Sequence, residues 1–424
     1  MGADKHALNL INWIVAMPLR LLKALGSFSG LYKACATTVS QCPRFGSVKN
    51  FQFQSLPGLS ADCSSSASDS DVMASKSMFD FETRYLKKGA TNNSVEAGNF
   101  FRRYDAKGKG YLDPEDFSNI FSTLFSHNGK PHNLTDDKKQ ALFDQLDRQK
   151  TGKITLPVFS EYWSTWFRPI LDPVSVLLVI DVQNDFISGS LAMSAGEAKQ
   201  NGEEVVPVIN KLLEDVDFDH VIYTRDWHPP DHISFHENRH KWKTTQCSSL
   251  KAEEANMFDT VTFEGEPSVN QVLWPTHCVR ETEGAALHKD LKIVKGGHIH
   301  DKGLESHADY YSAFKDQSRT RCTSLADDLI KRNVTNVYTC GIAYDFCVGE
   351  TSVDAAQSGF RTVLIEDATR GTSNTLISNM KERLKNLYVP IVNASEVADL
   401  VNGKDRRPEL VFQATLNGHD LPSS

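Results

Sequence analysis

Two features that would assign this protein to a broad class are scarce in its sequence: paired cysteines and clustered positive charge. Only eight cysteines occur in 424 residues and none forms a CxxC pair, which argues against a disulfide scaffold and favours a reducing, cytoplasmic setting. The formal net charge is -8, whereas a nucleic-acid surface needs clustered positive charge. The length exceeds what one compact core usually holds, so we expect two or more globular domains.

The sequence also lacks a hydrophobic run long enough to span a bilayer. The most apolar stretch, ALNLINWIVAMPLRLLKALG, is interrupted by Pro18, Arg20 and Lys23, and the run before Arg20 is short for a membrane-spanning helix. Leu10, Ile14, Met17 and Leu21 fall on one helical face. Residues 1–58 are therefore interpreted as an extension that could contain an amphipathic helix in contact with a membrane or a targeting helix. A membrane-associated or organelle-targeted protein is thus the alternative to a cytoplasmic one. An extension that packs on the protein or stays disordered is the alternative.

A helical repeat follows a segment that is rich in serine and aspartate. Residues 59–78 contain almost no large apolar side chains, so we interpret them as a linker. Residues 79–168 then show the same plan twice, with an apolar-periodic helix, a polar loop opened by aspartate and a second such helix. Each loop has glycine at position six, Gly110 and Gly152, and an aliphatic residue at position eight, Leu112 and Ile154. This region resembles an EF-hand pair.

The loops of the repeat depart from the calcium-binding pattern. The first loop offers Asp105, Asp113 and Asp116 as oxygen ligands, but Lys107 and Lys109 stand where further oxygens should face the ion. The second loop ends in Val158, which cannot supply a bidentate carboxylate. Ammonium groups in a cation site oppose cation binding. We expect a structural helix pair, and calcium binding at the first loop is the alternative.

Residues 172–405 change to an alternation of short apolar strands and helices. The expected strands are VSVLLVI, HVIYT, KIVKG, NVYTCGI and RTVLIED, and helical segments lie between several of them. This alternation predicts an α/β domain with a doubly wound parallel sheet covered by helices on both faces. Residues 406–424 are interpreted as a C-terminal tail.

Reactive side chains follow the ends of four predicted strands, where ligands gather in such folds. Asp181 ends the first strand, and Asp226, His228 and His232 follow the second. Lys295 follows KIV, and Cys347 lies in the turn after NVYTCGI. Singly, these residues have ordinary roles, such as a helix cap, a solvated lysine or a small corner residue. Their joint occurrence at one edge of the sheet predicts an active site.

Five motifs in this region resemble those of nicotinamidases within the isochorismatase-like hydrolases. They are DVQNDF, RDWHPPDHISF, LWPTHCV, KG followed by DYYSAF, and GIAYDFCV, in the family's order and at about its spacing. The resemblance implies a catalytic triad of Cys347, Asp181 and Lys295. It also implies an oxyanion hole from the backbone N–H groups of Ala343 and Cys347, with a cis peptide bond between Ile342 and Ala343.

The resemblance further implies a metal centre beside a pocket for a flat ring. The implied ligands are Asp226, His228 and His277, with His232 as an additional candidate, and the ion is Zn²⁺ or otherwise Fe²⁺ or Mn²⁺. The aromatic walls implied for the pyridine ring are Phe186, Trp274 and Tyr311. One departure is a long polar insert over residues 236–270, which bears on substrate breadth and on assembly, including a homo-oligomer.

The leading hypothesis is hydrolysis of nicotinamide to nicotinate and ammonia through a cysteine thioester, feeding pyridine nucleotide salvage. One alternative is another small amide or carbamoyl substrate. A second is a calcium-responsive adaptor with an inactive hydrolase domain, and a third is a zinc hydrolase that uses metal-bound hydroxide. The thiolate is the attacking form of a cysteine. We expect a helix N-terminus and the lysine to favour it, and Asp181 to accept the thiol proton.

Overall fold

The computed structural model describes residues 90–416, with side chains described over 94–413. The predicted N-terminal helix and the Ser-rich linker lie outside this range. Within residues 90–416, none of the helices combines the length and the hydrophobicity that crossing a bilayer requires.

The N-terminal part of the described chain is a pair of helix–loop–helix units. Its helices are α1 (Ala90–Tyr104), α2 (Pro114–Leu124), α3 (Asp136–Leu146), α4 (Leu156–Tyr162) and α5 (Arg168–Leu171), with a π-helical turn at Trp163–Phe167. Its short strands are β1 (Tyr111–Leu112), β2 (Ser126–His127), β3 (Lys130–Pro131) and β4 (Ile154–Thr155). The predicted aliphatic pair meets across the two loops, where Leu112 lies opposite Ile154 in an antiparallel ladder.

The two loops of this helix pair turn at the expected glycines. Gly110 and Gly152 have φ values of 78° and 71°, a region that favours glycine. The first carboxylate of each loop, Asp105 or Asp147, accepts hydrogen bonds from backbone N–H groups of its own loop, including those of Gly110 and Gly152. The predicted EF-hand-like helix pair is therefore confirmed.

The second part of the described chain is the predicted parallel sheet. Its strands are β5 (Ser175–Ile180), β6 (His220–Asp226), β9 (His298–Lys302), β10 (Asn336–Ile342), β11 (Arg361–Arg370) and β12 (Ile391–Val392), in the spatial order β12-β11-β10-β5-β6-β9. The helices of this part are α6 (Asn184–Ile187), α7 (Val205–Asp215), α8 (Leu325–Lys331), α9 (Gly349–Gln357), α10 (Asn374–Asn386), α11 (Ala394–Val401) and α12 (Glu409–Leu416). Short 3₁₀ turns lie at Met193–Ala195, Gly202–Glu204 and His236–Lys241.

The sheet is buried on both faces, as the uninterrupted apolar strands predicted. In β5, Val176, Leu178 and Ile180 pack into one core with α8, α9 and α10. Leu177 and Val179 point the other way, into a second core with α7 and α11, because successive strand residues face opposite sides of a sheet. The predicted doubly wound α/β fold is confirmed, and its parallel strands end at one common edge.

Two segments differ from their sequence interpretation. The expected strand at KIVKG is not formed: residues 292–294 are irregular, Lys295 lies in a turn, and the strand is β9, His298–Lys302. The expected C-terminal tail contains α12, in which Val411 and Phe412 join the core of the helix pair. Part of the segment interpreted as a tail is therefore helical, and its apolar residues cover a surface of the helix pair.

The insert between β6 and β9 is an ordered hairpin with a small core of its own. Its strands β7 (Thr260–Phe263) and β8 (Val269–Val272) pair antiparallel. Six side chains are buried together beneath it: Ile233, Ala252, Ala255, Val261, Phe263 and Leu273. The fold of this mainly polar segment is therefore stabilised by a few apolar side chains.

Candidate active site

The reactive groups of the site come from the ends of four neighbouring parallel strands. Asp181 directly follows β5, Asp226 ends β6 and Lys302 ends β9. Cys347 lies in the π-helical turn Tyr344–Val348 that follows β10 and leads into α9. Because these strands are parallel and adjacent, their carboxyl ends bring the four side chains together.

Lys302 contacts each of the other three side chains of this cluster. Its Nζ lies 2.5 Å from Oδ1 of Asp226 and 2.9 Å from Oδ2 of Asp181, and 3.5 Å from Sγ of Cys347. It also donates to the carbonyl oxygen of Tyr310 at 2.8 Å. The ammonium group has no exposed surface, so water does not stabilise its charge. The carboxylates of Asp181 and Asp226 balance this charge instead.

The structure does not bring Lys295, the lysine expected from the sequence, into this cluster. Lys295 is exposed and lies in the turn before β9, whereas Lys302 is at the carboxyl end of that strand and contacts both Asp181 and Cys347. The error follows from the misplaced strand, since the lysine that reaches the site must follow the strand that borders β6. Lys302 could have been found from HIHDK, a short stretch that ends in lysine before Gly303.

Asp181 is held in a dry and fixed position. It is fully buried and adopts φ 49°, and its Oδ1 accepts a hydrogen bond of 2.6 Å from the Thr224 hydroxyl. Burial raises the pKa of Asp181, and Asp226 raises it further, while the charge of Lys302 and the bond from Thr224 oppose the rise. A carboxylate with a raised pKa is suited to taking and returning a proton.

The surroundings of Cys347 favour the thiol form, whereas the sequence analysis expected a helix N-terminus and a lysine to favour the thiolate. Burial is the main cause that raises the pKa of Cys347 well above its usual value; the charges of Asp181 and Asp226 add to the rise and Lys302 opposes it. A hydrogen bond with Asp181 also favours the thiol form. A thiol loses its proton when it attacks as a nucleophile, and Asp181 is a carboxylate in hydrogen-bonding contact with this thiol.

The turn before Cys347 has the backbone geometry that the resemblance implied. The peptide bond between Ile342 and Ala343 is cis. The carbonyl of Ala343 accepts hydrogen bonds from the N–H groups of Phe346 and Val348, which fixes the turn on either side of the cysteine. The roles of the Ala343 and Cys347 N–H groups as oxyanion donors stay predictions.

Asp226, His228 and His277 form a group whose geometry fits a metal ion. One ligand atom from each lies within 4.8 Å of the others. Nδ1 of His228 contacts the carbonyl of Gly303 at 3.0 Å, and Nδ1 of His277 contacts that of Pro275 at 2.8 Å. These contacts turn both Nε2 atoms inward, as in metal-bound histidines. Nε2 of His228 is buried without a hydrogen-bond partner, 3.6 Å from Oδ2 of Asp226.

The protonation states of this group also suit a metal ion. Burial lowers the pKa of His277 to about 4, and the charge of His228 lowers it further, so the imidazole is a neutral donor near pH 7. Burial opposes ionisation of Asp226, but Lys302 and His228 outweigh that effect and lower its pKa. Burial lowers the pKa of His228, but the charge of Asp226 outweighs burial and raises this pKa overall, so a metal ion would have to displace a proton from His228. Without that proton, the donors are a carboxylate oxygen and imidazole nitrogens, a set suited to zinc and also to iron or manganese.

His232 lies beside this group with both ring nitrogens engaged. Its ring stacks on that of His228 with centroids 3.9 Å apart. Nδ1 is 2.7 Å from the Ser234 hydroxyl and Nε2 is 3.1 Å from the carbonyl of Ala308. These contacts suit a residue that positions His228, and a role for His232 as a fourth ligand stays a prediction.

Several aromatic side chains contact residues of this site or one another close to Cys347. Trp274 donates from Nε1 to the Tyr311 hydroxyl at 3.1 Å, and Phe186 lies against His277 with ring centroids 5.6 Å apart. Phe346, which the sequence reasoning missed, lies 5.1 Å from the Trp274 ring and 5.3 Å from the Tyr311 ring. Its position next to Cys347 in the chain was the available signal.

Comparison with known proteins agrees with this arrangement. The isochorismatase domain family model matches residues 175–396, and a model of the EF-hand domain pair matches residues 95–164. A nicotinamidase of Saccharomyces cerevisiae is 37% identical over 229 residues, which cover 52% of this chain and 100% of that protein. A nicotinamidase of Acinetobacter baylyi is 39% identical over 194 residues, covering 46% of this chain and 80% of that protein.

A solved structure of a nicotinamidase and pyrazinamidase from Acinetobacter baumanii is also similar to this chain. It is 35% identical, covers 53% of this chain and 98% of its own, and has a TM-score of 0.45. With the family model matching 222 of 424 residues (175 to 396), the chain is an amidohydrolase that belongs to the isochorismatase-like family and to its nicotinamidases.

Proposed function

We propose that this protein hydrolyses nicotinamide to nicotinate and ammonia through a thioester on Cys347. The observation that carries the proposal is the contact of Lys302 with both Asp181 and Cys347 beside the Asp226, His228 and His277 group. The identity to nicotinamidases supports the substrate. The product would feed pyridine nucleotide salvage.

The first half of the reaction forms the thioester. Asp181 accepts the thiol proton of Cys347 while the sulfur attacks the carboxamide carbon, so the C–S bond forms as the S–H bond breaks. Lys302 stabilises the negative charge carried by this pair of groups. The oxyanion of the tetrahedral intermediate is bound by the N–H groups of Ala343 and Cys347. Collapse breaks the C–N bond, and Asp181 returns the proton to the leaving nitrogen, which departs as ammonia.

The second half of the reaction releases the acid. Asp181 removes a proton from water, whose oxygen attacks the thioester carbon. The C–S bond then breaks and the sulfur regains its proton from Asp181. One carboxyl group thus moves a proton in each direction, a task that its raised pKa supports.

The metal has a binding role in this proposal. Asp226, His228 and His277 would hold the ion, Zn²⁺ or otherwise Fe²⁺ or Mn²⁺, which would bind the ring nitrogen of the pyridine when present. Phe186, Trp274 and Tyr311 would contact the faces of the ring. Asp226 joins both parts of the site, because its Oδ1 contacts Lys302 and its Oδ2 faces His228.

The proposal is tested by ammonia release from nicotinamide in two matched cysteine variants. Cys347→Ala removes the nucleophile, and we expect a loss of at least about 10³-fold in kcat/KM. Cys340→Ala is the control, because Cys340 is also buried and lies in β10 just before the same turn. Activity in Cys347→Ala equal to that of the control would remove the mechanism. Turnover by the wild type of other small amides, but not nicotinamide, would favour the sibling substrate class.

A further inference from the structure

Phe258 is an unusual residue of the insert between β6 and β9. Its side chain is 57% exposed although it is large and apolar, and its backbone adopts φ 73°. A bulky residue rarely adopts this region, and an outlier of this kind points to a function. A hydrogen bond of 2.6 Å from its N–H to the carbonyl of Leu273 holds the conformation.

Phe258 lies in an insert that is held in place by apolar packing and by hydrogen bonds. The β7–β8 hairpin covers the small apolar core described above, and Leu273 belongs to that core. Gln271 of β8 donates to the buried carboxylate of Asp309 at 2.8 Å, and Gln317 donates to the carbonyl of Asn270 at 2.7 Å. The hairpin is therefore tied to the loop that carries Tyr310 and Tyr311.

An aromatic row connects Phe258 with the nucleophile. Its ring meets the ring of Trp274 edge-on, with centroids 6.0 Å apart at 78°. Trp274 meets Phe346 at 5.1 Å and 87°, and Phe346 precedes Cys347 in the chain. Phe258 is the exposed end of this row, whereas Trp274 is only 9% exposed.

We propose that Phe258 is a specificity-determining residue that restricts access to Cys347 for pyridinecarboxamides with an additional ring substituent. The inference rests on the proposed function for its substrate class. The Phe258 ring contacts the Trp274 ring from the solvent side, so it limits how far Trp274 can shift to accommodate a larger substrate. An apolar contact of this size changes discrimination between substrates by about tenfold or more.

The first test compares two substrates in the full-length protein. Phe258→Ala should raise kcat/KM for 5-methylnicotinamide relative to that for nicotinamide by about tenfold, and Phe258→Trp should lower the ratio. Met257→Ala is the matched control, because Met257 is an adjacent exposed apolar side chain of the same loop; it should leave the ratio unchanged. A ratio that Phe258→Ala leaves unchanged, or that Met257→Ala raises equally, would overturn the proposal.

The second test does not depend on which amide the protein hydrolyses. Alkylation of Cys347 is followed by peptide mass spectrometry with a small reagent, iodoacetamide, and a bulky one, fluorescein maleimide. Phe258→Ala should accelerate labelling by the bulky reagent several-fold more than labelling by the small one, while the exposed Cys322 serves as internal reference. Equal changes for both reagents would overturn the proposed restriction, even if nicotinamide hydrolysis were confirmed. Selective acceleration would support it, even if nicotinamide were not the substrate.

Discussion

Two lysines of this protein each bridge a pair of aspartates, one in the helix pair and one in the hydrolase site. Nζ of Lys109 lies 2.5 Å from Oδ2 of Asp113 and 2.6 Å from Oδ2 of Asp116. Nζ of Lys302 lies 2.5 Å from Asp226 and 2.9 Å from Asp181. The groups are the same, but the side chain of Lys109 is 19% exposed and that of Lys302 is 0% exposed.

The difference in burial separates a structural cluster from a reactive one. Around Lys109, water screens the charges, so the ion pairs contribute little and the ammonium group acts as a tethered cation inside an EF-hand-like loop. Around Lys302, desolvation raises the pKa of Asp181 and of Cys347. The same three charged groups thus gain proton-transfer chemistry only where water is excluded.

Removing the buried lysine should have the largest effect. Lys302→Met leaves Asp181 and Asp226 without their buried partner, so we expect the free energy of unfolding to fall by about 3–5 kcal/mol. Ammonia release from nicotinamide should fall by roughly 10³-fold. Denaturant unfolding and the ammonia assay measure the two effects.

The control for this prediction is Lys295→Met. Lys295 is exposed and precedes the strand that Lys302 ends, so both stability and activity should stay near wild type. If Lys295→Met lost activity while Lys302→Met kept it, the assignment of the catalytic lysine would be reversed.

Exchanging the tethered cation for oxygen ligands should produce an intermediate effect. In the wild type, Lys109 bridges Asp113 and Asp116, and we expect isothermal titration calorimetry to show no calcium binding in the micromolar range. Lys107→Asp together with Lys109→Asp supplies carboxylates at loop positions three and five. The double variant should bind calcium with Kd of about 10⁻⁴ M or tighter.

Calcium binding by the wild type would argue against the tethered-cation interpretation. Calcium-dependent capture of a protein partner, together with no turnover of any pyridine amide, would favour the adaptor hypothesis. A double variant that folds but fails to bind calcium would show that the second loop, which ends in Val158, must also be repaired.

The smallest expected effect is a pH dependence of stability at the partly exposed Lys109 cluster. A hydrogen bond from Lys109 is the main cause that lowers the pKa of Asp113 from 3.8 to about 2. Because the pKa is depressed in the folded state, the resulting stability is present above pH 3.8 and is lost as pH falls toward about 2. Thermal unfolding of the wild type and Lys109→Met should therefore differ at pH 6, and the difference should shrink over this acidic window. If the difference in unfolding temperature between the two proteins did not change with pH, Lys109 would not stabilise the protein through the ionised form of Asp113.

Much of the fold was predictable because its signals are local. The helix pair follows from two aspartate-opened loops with Gly110 and Gly152 at equivalent positions. The parallel sheet follows from apolar runs such as SVLLVI, which is buried at every residue from Ser175 to Ile180. Asp226, His228 and His277 lie together as the motifs indicated.

The choice of Lys295 instead of Lys302 shows what local sequence patterns cannot predict. KIV is more apolar than HIHDK, yet HIHDK forms the strand because it pairs with β6 from Ile222 to Asp226. β9 is an edge strand with exposed positions, so its sequence carries no buried apolar pattern. The surroundings that raise the pKa of Cys347 were likewise beyond sequence reasoning, because they consist of burial and of carboxylates that are distant in the chain.

The proposed mechanism requires that Cys347 carries the acyl group of nicotinamide during turnover. It is tested most directly by acid quenching the full-length protein during turnover of nicotinamide and mapping covalent adducts by peptide mass spectrometry. We expect a nicotinoyl thioester on Cys347 that disappears once the substrate is consumed. Sustained ammonia release with Cys347 unmodified throughout, and retained in Cys347→Ala, would contradict it.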